Sequence, residues 1–175
     1  MFTIEEIDPK QYRQKTRNST LIIMGIFVVI GMISATVSVK LLSPYNSNPW
    51  ILNFLGAFIG LIITFFIIKQ FFINKPWMRD AMYGWRLKRS LMRITNVMEK
   101  LRKDVDINDH QAMKTMRFYH LGLEQMHRLE DNHHALIDLL AEKKTLEERM
   151  TAAGIDLNQT SFSPAQVERY HKTEN

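Results

Sequence analysis

Two runs of nineteen residues without a single charge, Leu21 to Val39 and Trp50 to Ile68, constrain this chain more than anything else in it. At a rise of about 1.5 Å per residue, each is long enough as a helix to cross a hydrocarbon layer of roughly 30 Å. Both therefore read as transmembrane helices. A pair of buried core helices is the soluble alternative, but the remaining chain is too short to wrap two such segments. A cleaved signal peptide, suggested by Ser34-Ala35-Thr36, fits poorly with a leader of about twenty residues that contains acids and with a second span following at once.

The basic residues set the expected orientation. Lys10, Arg13, Lys15 and Arg17 precede the first span, a dense set from Lys69 to Arg93 follows the second, and the loop Ser43 to Pro49 has none. The positive-inside bias places both termini in the cytoplasm and the loop outside, with Lys40 snorkelling to the outer headgroups. The chain has no cysteine, which excludes disulfides and thiolate sites.

The expected organisation is an all-α membrane protein, a two-helix transmembrane hairpin plus a cytoplasmic amphipathic helical hairpin. Residues 1–20 form an N-terminal amphipathic segment, 21–42 the first span, 43–49 the external loop and 50–73 the second span. Residues 74–154 hold a basic interfacial segment and the helical hairpin, and 155–175 a loop and short helix. Asp8 and Pro9 suit the N-cap and first position of a helix running into the first span. Phe2, Ile4 and Ile7 are expected at the headgroup boundary, with Trp77, Tyr83 and Trp85 as interfacial anchors after a break at Pro76.

Leu87, Leu91, Ile94, Met98, Leu101 and Val105 recur at spacings of four and three, an apolar stripe of the kind that packs in a bundle or coiled coil. Asn108 and Gln111 fit a capping box opening a second helix that extends to Ala153 and stops at Gly154-Ile155. Its apolar line includes Tyr119, Leu123, Met126, Leu129, Leu136, Leu140, Leu146 and Met150. A last helix opens at Ser163-Pro164-Ala165-Gln166. Two stripes bury too little for independent stability in so small a unit, so Leu87, Leu91, Ile94, Met98 and Leu101 are expected to meet a second copy or a membrane protein partner. Gly31 with Ala35, and Gly56 with Gly60, are small-residue faces for helix packing, either between the spans of one chain or between chains.

Charge divides along the sequence. Residues 69–103 hold ten Lys and Arg against Asp80 and Glu99, whereas residues 104–175 hold eight against thirteen acids. Each basic side chain beside an anionic leaflet contributes about 1 kcal/mol, which makes membrane lipid the expected partner of Arg86, Lys88, Arg89 and Arg93. No nucleic acid is implied, because these residues lie where membrane topology alone requires them.

His120, Glu124, His127, Asp131, His134 and Asp138 alternate base and acid at helical spacing. Glu124 with His127, and Glu130 with His133, match the Glu-x-x-His pairs of di-iron bundles. Such bundles place the pairs on facing helices, however, and here both fall on one. At about 100° per residue the stripe points roughly 130° from the apolar face and is expected to be solvated. A water-facing row of ion pairs is the plain reading, and a pH- or metal-responsive sensor using His120, Glu124, His127, Asp131 and His134 is the alternative. His133 sits at a core-like position. NHHALIDLL lacks the surroundings of a sensor-kinase phosphoacceptor, and no phosphate loop, G-x-S-x-G or H-E-x-x-H occurs. No cofactor or small-molecule substrate is implied. A small oligomeric pore is a further alternative, although the spans have no ionisable residue away from their ends.

The segments EEIDPKQYRQ, YGWRLKRSLMRI, FYHLGLEQMHRLEDN and LNQTSFSP resemble a family of small bacterial two-span inner-membrane proteins catalogued as a domain of unknown function. The resemblance covers nearly the whole chain. It implies topology and bacterial origin and no activity, cofactor or catalytic residue, nor does it require the histidines at 120, 127 and 134. The expected function is that of a non-catalytic, membrane-tethered interaction or scaffold module.

Overall fold

The computed structural model describes residues 1–132 and 134–171, and of residues 134–138 the backbone alone. The chain is mostly helical. In order it runs β1 (Phe2–Thr3), α1 (Pro9–Leu42), α2 (Pro49–Ile67), α3 (Arg79–Thr95), α4 (Met98–Asp106), α5 (His110–Glu130), α6 (His134–Ala152), β2 (Ser161–Phe162) and α7 (Ala165–His171). These elements divide into two compact units, Gln14–Met82 and a helical unit made of Met1–Arg13 with Tyr83–Asn175.

Within Gln14–Met82, α1 and α2 are both long and apolar enough to cross a membrane. Asp8 caps α1 as its sequence predicts, its Oδ1 accepting from Gln11 N at 2.7 Å. Asn48 caps α2, accepting from Trp50 N ahead of an N-terminal proline. Only 11 % of the apolar window of α1 and 22 % of that of α2 is buried. A core helix in a soluble protein is mostly buried, and these two are mostly exposed. After α2 the helix widens into a π turn at Ile68–Phe72, then re-forms through a 3₁₀ turn at Pro76–Met78, where the proline was expected to kink or restart it.

The helical unit departs from the two-helix hairpin. The first predicted helix breaks at Asn96 and Val97 into α3 and α4. The second breaks at Asp131, which adopts a left-handed backbone (φ 62°) and closes α5 by donating from its N–H to the Arg128 and His127 carbonyls. Aspartate tolerates that conformation better than most residues, and periodicity alone cannot reveal it. Helix α6 then runs back along α5, as the pairs Glu124–Lys143 and Arg117–Glu147 show. The cap of α5 is also one residue later than expected. Asn108 has a positive φ of 61°, and Asp109 accepts from Ala112 N at 2.6 Å. Gly154 ends α6 with φ +66° as predicted, and Ser163 N donates to Gln166 Oε1 at the start of α7.

The chain ends close this unit. β1 pairs antiparallel with β2, Phe2 opposite Phe162 and Thr3 opposite Ser161, a short ladder in a chain expected to be all helix. Phe2 and Ile4 pack against the core rather than at a headgroup boundary, and Ile7 joins the cluster around Tyr12, Tyr83 and Leu129. The reason is aromatic packing. Phe162 stacks on Phe118 at 5.2 Å between centroids, and Phe2 lies 5.4 Å from Tyr83 and 6.4 Å from Phe118. Tyr83 is buried as well, not an interfacial anchor: it accepts from Glu5 N and donates to Gln125 Oε1.

Candidate functional site

The stripe expected to face a partner is spent inside the chain. Leu87, Ile94 and Leu101 are fully buried, Leu91 is buried and Met98 packs half-buried against the same core. Gly122 of α5 makes this possible, because a Cβ there would come within 3.0 Å of Leu91 Cδ2 and 3.2 Å of Leu87 Cδ1. The stripe's cover comes from α5, α6 and the two chain ends rather than from a second copy. Of the second apolar line, Leu140 is exposed, while Met126, Leu129, Leu146 and Met150 are buried.

The small-residue faces meet within one chain. A Cβ on Gly56 would lie 2.5 Å from Ala35 Cα and 2.7 Å from the Ser34 carbonyl, and one on Gly60 would lie 2.8 Å from Gly31 Cα. Gly31 therefore faces Gly60 as Ala35 faces Gly56, which lets the backbones approach to a separation no larger residue permits.

The histidine and acid row is not one solvated face. The turn at Asp131 puts His120, Glu124 and His127 on α5 and His134 and Asp138 on α6, and folding α6 back turns the predicted water-facing side of α5 inward. His133 lies outside the described residues, as do the side chains of His134, Leu136 and Asp138. His120 is 2 % exposed, and among the described residues neither ring nitrogen has a hydrogen-bond partner, the Glu142 carboxylate lying 3.7 Å from Nε2. Burial pushes its pKa down to about 4, with Arg117, Arg102 and Lys143 adding to the effect and Glu142 opposing it. Glu124 is held by Arg128 and by Lys143 at 2.6 Å, so its oxygens serve cations of the chain itself. Among the described residues no three metal-ligating side chains converge. His120 beside a half-open cavity of about 320 Å³ is thus a buried histidine that burial keeps neutral at pH 7.

Sequence reasoning also missed the arginine pairs that cross-link the helices. Arg117 is buried, donates from Nε to the Leu157 carbonyl at 2.9 Å and pairs with Glu147 at 2.6 Å. Arg169 of α7 grips Asp104 and Asp109 at 3.0 and 2.8 Å. Each joins residues 30 to 65 apart in the chain, beyond the reach of helical spacing.

The four basic residues assigned to lipid separate into two kinds. Lys88 forms an ion pair with Glu130. Arg86, Arg89 and Arg93 lie along one side of α3 and line a single recess of about 170 Å³ with Phe2, Ser90, Phe162 and Pro164. The Arg89 guanidinium sits over the ring of Trp85, 5.1 Å from its centroid. Trp85 and Met92, one heptad apart on the same helix, are more than half exposed.

The family model described as "Protein of unknown function (DUF3087)" matches residues 2–167. The chain belongs to this family. The DUF3087 match begins at the β1 phenylalanine and ends inside α7, so it takes in both short strands and the recess between them and α3. Neither the curated proteins nor the solved structures contain a match.

Proposed function

We propose that this DUF3087 chain is a non-catalytic, membrane-anchored interaction module of the bacterial inner membrane. In this reading α1 and α2 cross the bilayer as a hairpin, both ends lie in the cytoplasm, and the helical unit is held at the membrane surface as a scaffold. The observation that carries it is the exposed apolar surface of α1 and α2 around a small-residue contact that already satisfies their packing on each other. The basic residues on both cytoplasmic flanks and their absence from the loop support the orientation. The helical unit closes its own core, so association with a second copy or a membrane protein falls to exposed groups such as Trp85 and Met92 of α3.

The chain has no cysteine, so single cysteines report topology without background. In intact cells a membrane-impermeant maleimide should label Asn46→Cys in the loop and leave Glu148→Cys unlabelled until the membrane is opened. Equal labelling of both, or release of the chain by alkaline carbonate, would refute the anchoring. For the scaffold role, the intact mass of the full chain in neutral detergent should show a fixed multiple or a partner at fixed ratio. A lone chain under all mild conditions refutes it.

A further inference from the structure

The arginines of the helical unit differ in one respect that sequence does not disclose. Arg13, Arg102, Arg117, Arg128, Arg149 and Arg169 each pair with a carboxylate at 2.5–3.8 Å. Arg86, Arg89 and Arg93 have no ion pair among the described residues, and these three share one recess. No acid lines it. The floor is aromatic and prolyl, with Phe162 fully buried, and the Ser90 hydroxyl is committed to the Arg86 carbonyl at 2.9 Å. Three guanidiniums at helical spacing i, i+3 and i+7 thus face a concavity that offers N–H donors and, among the described residues, no counter-ion.

We propose that this recess binds one phosphate group, supplied under the membrane-surface reading above by the headgroup of an anionic phospholipid. Planar guanidinium forks match the oxygens of a phosphate in pairs, and the low-dielectric floor strengthens those contacts. The recess, about 170 Å³ and open on one side, has room for one phosphate group with the rest of the ligand lying outside it. Exposed Trp85 and Met92 on the same helix suit the interfacial and acyl region of a lipid whose phosphate is so held. The site is built by the fold. Phe2 and Phe162 reach it only because β1 and β2 pair, so it exists only when both chain ends have docked on α3. Lys88, on the same helix but paired with Glu130, takes no part.

The test uses the full chain in a neutral, phosphate-free detergent, with Trp50→Phe and Trp77→Phe so that Trp85, under the Arg89 guanidinium, is the sole indole. Its fluorescence is followed on titration with short-chain phosphatidylglycerol, with inorganic phosphate and with a sugar-headgroup lipid. Phosphatidylglycerol should give a saturable change and the sugar lipid none. Arg86→Gln with Arg93→Gln should weaken binding at least tenfold, Arg86→Lys with Arg93→Lys several-fold, and Lys88→Gln less than twofold. Unchanged helicity of each variant assigns the loss to the site. Equal weakening by Lys88→Gln would reveal diffuse charge attraction and overturn the proposal, as would the absence of saturation in every arm. Saturation by inorganic phosphate alone would uphold the phosphate site and overturn its lipid source. The phosphate arm is independent of where α1 and α2 lie, so failure of the site and failure of the anchoring are distinguishable.

Discussion

Removing the Asp109 carboxylate tests both the corrected start of α5 and the docking of α7. Asp109 Oδ1 accepts from Ala112 N at 2.6 Å, and the same carboxylate meets Arg169 at 2.8 and 3.3 Å. An N-cap contributes about 1 kcal/mol. The Arg169 pair is about one-third exposed on the acid side and two-fifths on the base side, so solvent screening limits it to about 0.5–1 kcal/mol. Asp109→Ala should therefore cost about 1.5–2 kcal/mol, a fall in Tm of roughly 3–8 °C for a chain this size. Asp109→Asn keeps a capping oxygen and should cost only the ion pair. The assay is thermal loss of far-ultraviolet circular dichroism in neutral detergent. The Arg169 hydrogen bond holds the Asp109 carboxyl below its ordinary range, with the Ala112 N–H adding to this and burial opposing it. A depressed folded pKa adds stability that is present above the unfolded value near ~3.9 and is lost as pH falls through the folded one. The gap between wild type and Asp109→Asn should thus be full at neutral pH and shrink below about pH 4. If Asp109→Ala shifted Tm by less than about 1 °C, α5 would start at Asn108 as helical spacing suggests, and the reasoning would fail.

The neutral, buried His120 should make stability fall as acid is added. Its folded pKa of about 4 lies below the unfolded value, so its contribution is complete above about pH 6.5 and declines toward pH 4, by about 2 kcal/mol between pH 7 and pH 5. His120→Leu should flatten that segment of the melting-against-pH curve, and an unaltered slope would show that His120 is not its source. Glu147→Ala strands the buried Arg117 guanidinium and should cost about 2–3 kcal/mol, less than a fully buried pair because Glu147 is partly exposed, as read by chemical denaturation. Restoring stability with Arg117→Met in the same chain would confirm that the loss is the unpaired charge. Gly56→Leu drives a side chain into Ala35 Cα and the Ser34 carbonyl, so α1 and α2 must separate. Its Tm in neutral detergent should fall, and an unchanged Tm would place the contact elsewhere.

Local signals were legible wherever the controlling interaction spans a few residues. The two apolar runs, the caps at Asp8 and Ser163, the break at Pro76 and the glycine stop at 154 all follow from side chains within one turn of the affected backbone. The faces of Gly31, Ala35, Gly56 and Gly60 were readable as small, and so was the basic side of α3. The break at Asp131 was not, because an aspartate in left-handed backbone leaves the spacing of its neighbours unchanged. That one residue reversed the reading of the acid and histidine row, which needed a continuous helix to lie on one face.

By itself the sequence determined which segments are helical, which of them suit a bilayer and which surfaces are apolar or basic, since these depend on composition and period along the chain. Tertiary structure decided what each surface meets. The reversal at Asp131 folded α6 back on α5 and buried His120 that sequence gives to water, while α5, α6 and the chain ends covered the stripe that sequence offers to a partner and left three arginines, without acids among the described residues, around one recess. Those outcomes depend on contacts between residues as far apart as Phe2 and Phe162, and no periodicity encodes which distant side chain will neutralise, cover or leave open a given face.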